Sequence, residues 1–385
     1  TAILSVSCRK NEPIAVAVPE DTALGPLGNR LDAYLTAITP FGFSGTVLVA
    51  REGEIVLNKG YGLAIDSPVV SHTSATITDC GPVARQFVAA GIVKLQMQGR
   101  LRTTDSLPAF FADLPVDKQS ISLRQLLSHT SGLVNFTAEN YPTGKRDEAI
   151  RRALEEPLRF VPGTDHAVSD AEYLLLAAVI EQISEQPCEE FLFDELFAPS
   201  GMTLTGFRRP SWDNHVVAHQ YAGVRDRGTP LDKTSPEWNY LGSGRMLSTT
   251  ADLYRWHLAL SEGRVLDSAA LVEIYTPVIE NFSYLGRVVD SPLGRLAGIG
   301  GVNDSGSSCE YWRGQDSDVV VVVLCNRDYD GDALAEVVRD KLHLLLAGEN
   351  VDVPPLMPPS AVSPRSIAGT YRLNSGAELT AAAAP

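Results

Sequence analysis

The stretch that decides the fold is GPVARQFVAAGIVKLQMQGRL, residues Gly81 to Leu101. Drawn as a helix, it carries apolar side chains on most sides, which is typical of a helix inside a protein and not on its surface. Its start carries Pro82, and proline is favoured in the first turn of a helix because no backbone N–H is needed there. We therefore predict a buried helix here, around which the rest of the chain packs.

The stretches on either side of this helix differ in type. Two β-rich runs meet at Glu52-Gly53 within residues 46–64, which predicts a hairpin. The apolar run Val319–Asp328 is rich in β-branched residues and predicts a central strand. Helical patterns lie mostly between these strands, so the sequence predicts an α/β (α+β) sheet domain with an inserted, mainly helical domain. The further helices are predicted in residues 28–38, 121–133, 146–157, 171–202 with a break near Pro187, 242–263 with Ser248 or Thr249 as cap, and 333–348.

The predicted domain organisation follows from these patterns and from a shift in composition near the C-terminus. Prolines cluster in residues 351–365, which predicts a stiff linker. The alternating residues beyond the linker suit a hairpin, which is marginal alone. The predicted parts are an N-terminal tail (1–27), a sheet domain (28–79 and 246–350), a helical domain (80–245), the linker (351–365) and the start of an incomplete C-terminal β extension (366–385).

Composition limits the possible partners. The chain has 385 residues, of which 44% are hydrophobic and 21% charged, as in globular proteins. A formal net charge of −15 argues against nucleic-acid or anionic-membrane partners. We expect no transmembrane helix, because no apolar run approaches 18 residues. Neither HExxH nor a cluster of His and Cys occurs, so we predict no metal and no cofactor.

The cysteines indicate neither a disulfide framework nor a CxxC metal site. They are odd in number and widely spaced, which suits buried or free thiols: Cys8, Cys80, Cys188, Cys309 and Cys325. The first 13 residues, TAILSVSCRKNEP, resemble the end of a bacterial lipoprotein signal, although a charged leading region is absent. This pattern predicts an exported protein, periplasmic or lipid-anchored, and a cytoplasmic location is the alternative.

Taken together, the segments resemble the serine β-lactamase and penicillin-binding protein family, in its class C β-lactamase-related branch of serine hydrolases. The resemblance covers residues 28–348 and implies a β-lactamase/transpeptidase-like fold, an antiparallel sheet flanked by helices plus the helical insertion. It rests on seven pieces in chain order: SGTVLVAREGEIVLNKGYGLA, RQFVAAGIVKLQMQGRL, ISLRQLLSHTSGL, FVPGT followed by YLLLAAVIEQIS, LFAPSGMTLTGF, STTADLYRWHLAL and VVVVVLCNRD.

The family resemblance also implies a chemistry. A serine at the start of the buried helix attacks a carbonyl, and a lysine one turn later helps to take its proton. A tyrosine from the helical domain relays protons, and a Lys/His-x-Gly strand edge lies beside the oxyanion site. These groups meet in one cleft between the sheet and the helical domain.

In this sequence all three motifs are substituted. Pro82 stands in the serine position, and Arg85 stands in the lysine position although a guanidinium is too basic to accept a proton. The Tyr-x-Asn motif falls on Val168-Ser169-Asp170, and the strand motif on Gly298-Ile299-Gly300-Gly301. The resemblance thus leaves the catalytic residues unknown and predicts a ligand cleft formed by Pro82, Arg85, Val168, Asp170, Gly298, Ile299 and Gly300.

A different alignment does not recover the nucleophile. Of the seven lysines, only Lys10 follows a serine at the Ser-x-x-Lys spacing, and Ser7 and Lys10 lie in the N-terminal tail where no helix is predicted. The G-x-S-x-G pattern of another hydrolase class is absent as well.

The substituted motifs raise one structural hypothesis. Arg85 and Asp170 occupy the positions of the lysine and the asparagine that face each other across the family's cleft. We expect them to form a charge-assisted ion pair that fills the cleft and ties the two domains together. The alternative is that both side chains point to solvent or to other partners.

Other reactive side chains lie near the substituted positions. Cys80 comes two residues before Pro82, but no histidine is placed to activate it, and a buried inert thiol is the favoured interpretation. His129 belongs to the SHTSGL segment, which is usually structural in the family. His166 and Asp165 are the titratable neighbours of the missing tyrosine and are candidates for acid or base function.

The sequence therefore favours a catalytically degenerate family member, a non-hydrolytic binding or regulatory protein with a small-molecule or peptide ligand. One alternative is an enzyme that uses the same cleft without a serine nucleophile, such as a cyclase, isomerase or acyl transferase. Another is a hydrolase, esterase or peptidase with a displaced nucleophile. The sequence leaves the oligomeric state open.

Overall fold

An eight-stranded antiparallel sheet organises the computed structural model, which describes residues 16–136, 145–207, 209–232, 242, 244–303, 305–328 and 333–352, and the backbone of 369–372 and 378–381. The order of the strands across the sheet is β1-β3-β2-β14-β13-β12-β11-β10. In chain order these eight are β1 Thr22–Ala23, β2 Gly45–Arg51, β3 Glu54–Tyr61, β10 Phe282–Ser283, β11 Gly286–Ser291, β12 Gly294–Val302, β13 Ser308–Gly314 and β14 Val319–Cys325.

Shorter strands form small sheets beside it: β4 Leu63–Ile65 with β5 Val70–Ser71, β6 Thr78–Asp79 with β9 Leu247–Ser248, and β7 Tyr221–Ala222 between β8 Arg225–Asp226 and β15 Arg327–Asp328. The α-helices are α1 Gly25–Ile38, α2 Ala84–Met97, α3 Leu123–Leu127, α4 Arg146–Glu155, α5 Asp170–Ser184, α6 Cys188–Leu192, α7 Ala198–Ser200, α8 Thr250–Ser261, α9 Ser268–Tyr275 and α10 Leu334–Leu346.

Helices cover the central sheet on both faces. Strand β14 lies between β2 and β13, and all seven of its residues are buried. Val321 and Val323 pack with α1 and α10, whereas Val320 and Val322 belong to the larger core that contains α2, α5 and α8. A strand that is buried on both faces reads as a continuous apolar run, and the predicted central strand is confirmed.

The predicted hairpin is also confirmed. Strands β2 and β3 pair antiparallel, and the two residues between them, Glu52 and Gly53, have φ values of 56° and 79°. Positive φ at both central residues is the requirement of a type I′ turn, whose twist matches the flanking strands.

The buried helix is shorter than predicted. A 3-10 turn, Gly81–Val83, precedes α2, so Pro82 lies in the first turn of a tighter helix. The α-helix ends at Met97, and Gly99 adopts a φ of 71° that the helix cannot continue through. Ten of the fourteen residues of α2 are buried, as the sequence predicted for an internal helix.

The cap of α8 is Thr249 and not Ser248. The Thr249 hydroxyl accepts a hydrogen bond from the N–H of Asp252 at 3.2 Å, which satisfies one of the free donors in the first turn. Ser248 lies one residue earlier, in β9, where its hydroxyl is 2.9 Å from that of Thr205.

The chain divides into two compact units, the first of which ends at Val351. The second unit contains the antiparallel pair β16 Gly369–Arg372 and β17 Glu378–Ala381. Most of the predicted linker, and residues 1–15 with Cys8, Ser7 and Lys10, lie outside the described residues. The division of residues 28–350 into sheet and helical domains stays a prediction. Within the described ranges, we find no helix that is long and apolar enough to cross a membrane.

Candidate functional site

A cavity of about 180 Å³, called the β12 cavity below, opens where the end of β12 meets the helices of the 80–245 segment. Five of the seven predicted cleft residues line it: Arg85, Val168, Gly298, Ile299 and Gly300. Pro82 and Asp170 lie next to lining residues and are not themselves part of the wall. The wall also includes Tyr173, Arg287, Glu310, Trp312 and Arg339, which sequence reasoning did not single out.

Pro82 is buried behind the end of β12. Gly81, with a φ of 45°, turns the chain into the helix, and its N–H donates to Oδ1 of Asp79 at 2.8 Å. A Cβ on Gly301 would lie 3.2 Å from Cγ of Pro82, so the strand passes close to the proline ring. The first turn of the helix therefore presents a hydrocarbon ring to the strand end.

Arg85 and Asp170 form the predicted ion pair. Nη2 of Arg85 lies 2.5 Å from Oδ1 of Asp170, and their side chains are 12% and 24% exposed. The guanidinium carbon also lies 5.9 Å from the centre of the Tyr173 ring. The backbone N–H of Asp170 donates to Oδ1 of Asn135 at 2.8 Å, which fixes the start of α5. The pair therefore joins α2 to α5. Both helices lie within the predicted helical domain, so the prediction that the pair ties the two domains together is wrong, and the cavity beside Arg85 is not filled by it.

Near Arg85, the buried carboxyl group of Glu172 contacts Ser131 and His129. Glu172 is fully buried, accepts a hydrogen bond from the Ser131 hydroxyl at 2.5 Å and contacts Nδ1 of His129. Burial raises the pKa of Glu172 well above its usual range, and burial with the nearby Arg85 charge lowers the pKa of His129 to about 3. Both shifts favour the uncharged forms of the two side chains. This arrangement holds the SHTSGL segment against α5, which agrees with the structural role expected of His129.

Val168, where the resemblance predicts a tyrosine, is open to solvent. Val168 lines the cavity and is 42% exposed. The neighbouring His166 ring stacks on Phe282 with centroids 3.7 Å apart, and burial is the main cause of its lowered pKa. Asp165 accepts a hydrogen bond from the backbone N–H of His166 at 2.8 Å and is exposed. The structure therefore places His166 beside the cavity, whereas the Asp165 carboxylate binds the backbone.

Gly298 and Gly300 of β12 have no side chains, so side chains of the neighbouring strand β13 can lie across β12 at these positions. A Cβ on Gly298 would be 2.2 Å from Cδ2 of Trp312, and one on Gly300 would be 2.2 Å from the Glu310 carboxyl carbon. The strand register explains this, because these glycines stand opposite those two residues. The glycines thus open one side of the strand to an indole and a carboxylate.

Two charged side chains of the wall, Glu310 and Arg287, have polar atoms that no described residue binds. Glu310 is 3% exposed, and its Oε2 accepts from Nε1 of Trp312 at 2.5 Å and Nη1 of Arg339 at 2.8 Å. Its Oε1 has no hydrogen-bond partner among the described residues. Burial raises the pKa of Glu310, and the Arg339 charge opposes that shift. The guanidinium of Arg287 lies 5.2 Å from the centre of the Phe282 ring and forms no ion pair with a described residue.

The thiol near the helix start is not activated. Cys80 is fully buried, and burial raises its pKa well above the usual range. The Cys309 thiol donates to the carbonyl of Cys80 at 2.8 Å. Cys188 and Cys325 are also buried and free. Within the described ranges, no group of three or more His, Cys, Asp or Glu side chains is arranged to hold a metal ion.

The antiparallel sheet flanked by helices is the fold of the β-lactamase/transpeptidase class. A model of the β-lactamase family matches residues 42–344, which is more than half of the chain. The chain therefore belongs to the β-lactamase family, and the resemblance and the fold class predicted from the sequence are confirmed.

Relatives in Bacillus subtilis (strain 168) are penicillin-binding proteins by name. PbpX is 29% identical over 251 residues, which are 64% of this chain and 62% of PbpX. Penicillin-binding protein 4* is 25% identical over 338 residues, which are 81% of this chain and 74% of the relative. The chain thus spans less than two thirds of the length of PbpX.

Solved structures share the fold at lower identity. The octameric penicillin-binding protein homologue from Pyrococcus abyssi superposes with a TM-score of 0.72 at 21% identity, covering 84% of this chain and 78% of that one. The D-amino acid amidase from Ochrobactrum anthropi SV3, in complex with L-phenylalanine, has a TM-score of 0.70 at 20% identity, with 84% and 98% covered.

Proposed function

We propose that this chain is a binding protein that holds a small ligand in the β12 cavity without covalent catalysis. The observation that carries the proposal is the Arg85–Asp170 ion pair, 2.5 Å long, in the place where the family's chemistry needs a proton acceptor. An arginine stays protonated at any physiological pH, so it cannot deprotonate a nucleophile. Pro82 supplies no hydroxyl at the helix start, and a thiol mechanism at Cys80 lacks support because that side chain is buried.

The charges of the cavity suggest the class of ligand. Arg287 offers a guanidinium to a carboxylate, because its described contact is with an aromatic ring. Glu310 offers Oε1 to an ammonium group, since its other oxygen carries both of its hydrogen bonds. A ligand with a carboxylate and an ammonium group, such as an amino acid or a short peptide, matches both. The Trp312 indole adds an apolar face to the same wall.

Calorimetric titration with D- and L-phenylalanine, D-phenylalanine amide and 3-phenylpropionate tests this proposal. We expect measurable binding of at least one amine and recovery of every ligand unchanged by mass spectrometry. Glu310→Gln should weaken binding of the amines about tenfold or more, because a charge-assisted hydrogen bond contributes about 1.5–3 kcal/mol. It should leave 3-phenylpropionate unaffected.

The matched change Arg287→Gln should weaken the ligands that carry a carboxylate and spare the amide. Arg225→Gln, on the exposed strand β8, is the control for removal of an arginine. Turnover of the amide would overturn the proposal of a non-catalytic protein. Binding of the amines that is insensitive to both cavity variants would overturn the assigned site.

We further propose that the protein is exported. The support is the lipoprotein-like pattern before Cys8 in the sequence. Fractionation of the cells that make the protein checks this, with recovery in the envelope fraction as the expected result and recovery in the cytosol as the contradicting one.

A further inference from the structure

A second cavity, of about 670 Å³, lies away from the β12 site and shares no lining residue with it. It is bounded by the end of α8, by α9 and by the ends of β12 and β13. Two arginines, Arg295 and Arg313, face it together with Gln315. The described lining contains no acidic residue, although the chain as a whole carries a net charge of −15.

Arg313 is buried and has only neutral hydrogen-bond partners. It is 7% exposed, and its Nε, Nη1 and Nη2 donate to Nδ1 of His257 (3.2 Å), the Tyr275 hydroxyl (2.9 Å) and the Ser261 hydroxyl (2.8 Å). No carboxylate of the described residues lies within 4 Å of this guanidinium. Three of its five N–H groups are used in these bonds, so two can still donate.

The Asp318 carboxylate contacts His257 and not Arg313. Nε2 of His257 lies 3.2 Å from Oδ1 of Asp318. Because Nδ1 of the same ring accepts from Arg313, the proton of the neutral ring is on Nε2 and is donated to Asp318. The Asp318 side chain is 53% exposed, so water screens much of its charge. The positive charge of Arg313 is therefore not matched by a contacting anion in the described structure.

Buried charges in proteins are normally paired, because an isolated one costs several kcal/mol in lost hydration. Arg295 adds a second positive charge at the same cavity, and its side chain forms no ion pair with a described residue. The other wall is apolar and includes Leu260, Leu271 and Val272, of which Val272 is 68% exposed. The cavity thus joins a cationic end to a hydrocarbon surface.

We propose that this cavity binds a small organic carboxylate with an apolar tail. The carboxylate accepts hydrogen bonds from the free N–H groups of Arg313 and from Arg295, in the geometry that a guanidinium provides for two oxygens. The tail covers the side chains of Leu271 and Val272, which are not fully buried. This site is independent of the proposed ligand in the β12 cavity.

Calorimetric titration with octanoate, octanol, octylamine and acetate tests the site in the full chain. We expect octanoate to bind, with octanol, octylamine and acetate at least tenfold weaker. Arg295→Gln should weaken octanoate tenfold or more, since it removes a charge-assisted contact. Arg313→Lys keeps the buried charge and loses the planar fork, so it should also weaken octanoate while the protein stays folded by circular dichroism.

Two comparisons make the test specific. Arg225→Gln should leave octanoate binding unchanged, and so should Arg287→Gln if the ligand does not occupy the β12 cavity. Octanoate binding that survives Arg295→Gln, or that is lost with Arg287→Gln, would overturn the proposal. Equal affinity for acetate and octanoate would overturn the role of the apolar wall.

Discussion

The guanidinium of Arg85 and the carboxylate of Asp170 lie 2.5 Å apart and connect α2 to α5 across the wall of the β12 cavity. Both side chains are mostly shielded from water, so the pair is held more firmly than an exposed ion pair. The family resemblance of the sequence predicts a lysine and an asparagine at these two positions. The same contact therefore has a structural consequence and a functional one, and the two can be measured separately.

Breaking this ion pair should lower the free energy of unfolding in a coupled way. In a double-mutant cycle with Arg85→Ala and Asp170→Ala, we expect a coupling energy of about 1–3 kcal/mol, because each single change leaves a charged partner partly buried. Urea unfolding of the four proteins gives the value. Strictly additive effects would show that the two side chains do not interact in solution.

Gly298 should not tolerate a methyl group. A Cβ there would lie 2.2 Å from the Trp312 ring, and overpacking of this kind costs about 1–3 kcal/mol. Gly298→Ala should therefore reduce the free energy of unfolding by that amount. Gly244→Ala is the matched control, since a Cβ at Gly244 would meet no atom of the described residues within 4 Å. Equal stability of the two variants would mean that the indole does not lie over β12.

His72 should make the protein sensitive to mild acid. It is 5% exposed, and burial lowers its pKa to about 4, although the neighbouring Asn326 side chain opposes that shift. The unfolded chain takes up a proton at His72 near pH 6.5, and the folded chain does not. The contribution of His72 to the free energy of unfolding is therefore fully present above pH 6.5 and is lost as the pH falls towards 4.

The variant His72→Leu removes this proton uptake. Between pH 7.5 and pH 5, the loss of unfolding free energy should be about 2 kcal/mol smaller in the variant than in the native chain. Urea unfolding at the two pH values measures it. The same pH dependence in both proteins would indicate that His72 is protonated in the fold.

The described cysteines should be unreactive in the folded protein. All four are buried, and burial raises their pKa values, so little thiolate is available to attack a reagent. In a Cys8→Ser variant we expect Ellman's reagent to label no thiol before unfolding and four after. Rapid labelling of one thiol in the folded variant would instead support a cysteine nucleophile, and peptide mapping would identify that cysteine.

Much of the fold was predictable because the decisive signals are local. The β-branched run in β14 and the Glu52-Gly53 turn each specify their own backbone, and the Arg85–Asp170 pair followed from two motif positions. The helix that starts at Pro82 was overestimated at its C-terminal end, since the apolar pattern continues to Leu101 after Gly99 has already ended the helix.

The rest of the candidate site depends on register, which the sequence pattern does not contain. Glu310 and Trp312 reach the cavity because β13 pairs with β12 so that they stand opposite Gly300 and Gly298. The Gly298-x-Gly300 spacing was a usable signal, as alternate glycines leave one side of a strand open. Glu172 was missed although it follows Asp170 by two residues, because its partner His129 lies 43 positions earlier in the chain.

The proposed function requires that the chain performs no covalent serine chemistry. Intact-protein mass spectrometry after incubation with a fluorescent penicillin and a fluorophosphonate tests it directly, beside a Pro82→Ser, Arg85→Lys, Val168→Tyr variant that introduces the three side chains expected from the family resemblance. We expect the native chain to keep its unmodified mass with both reagents. A stoichiometric adduct on the native chain would contradict the account, and mapping the labelled residue would reveal the nucleophile.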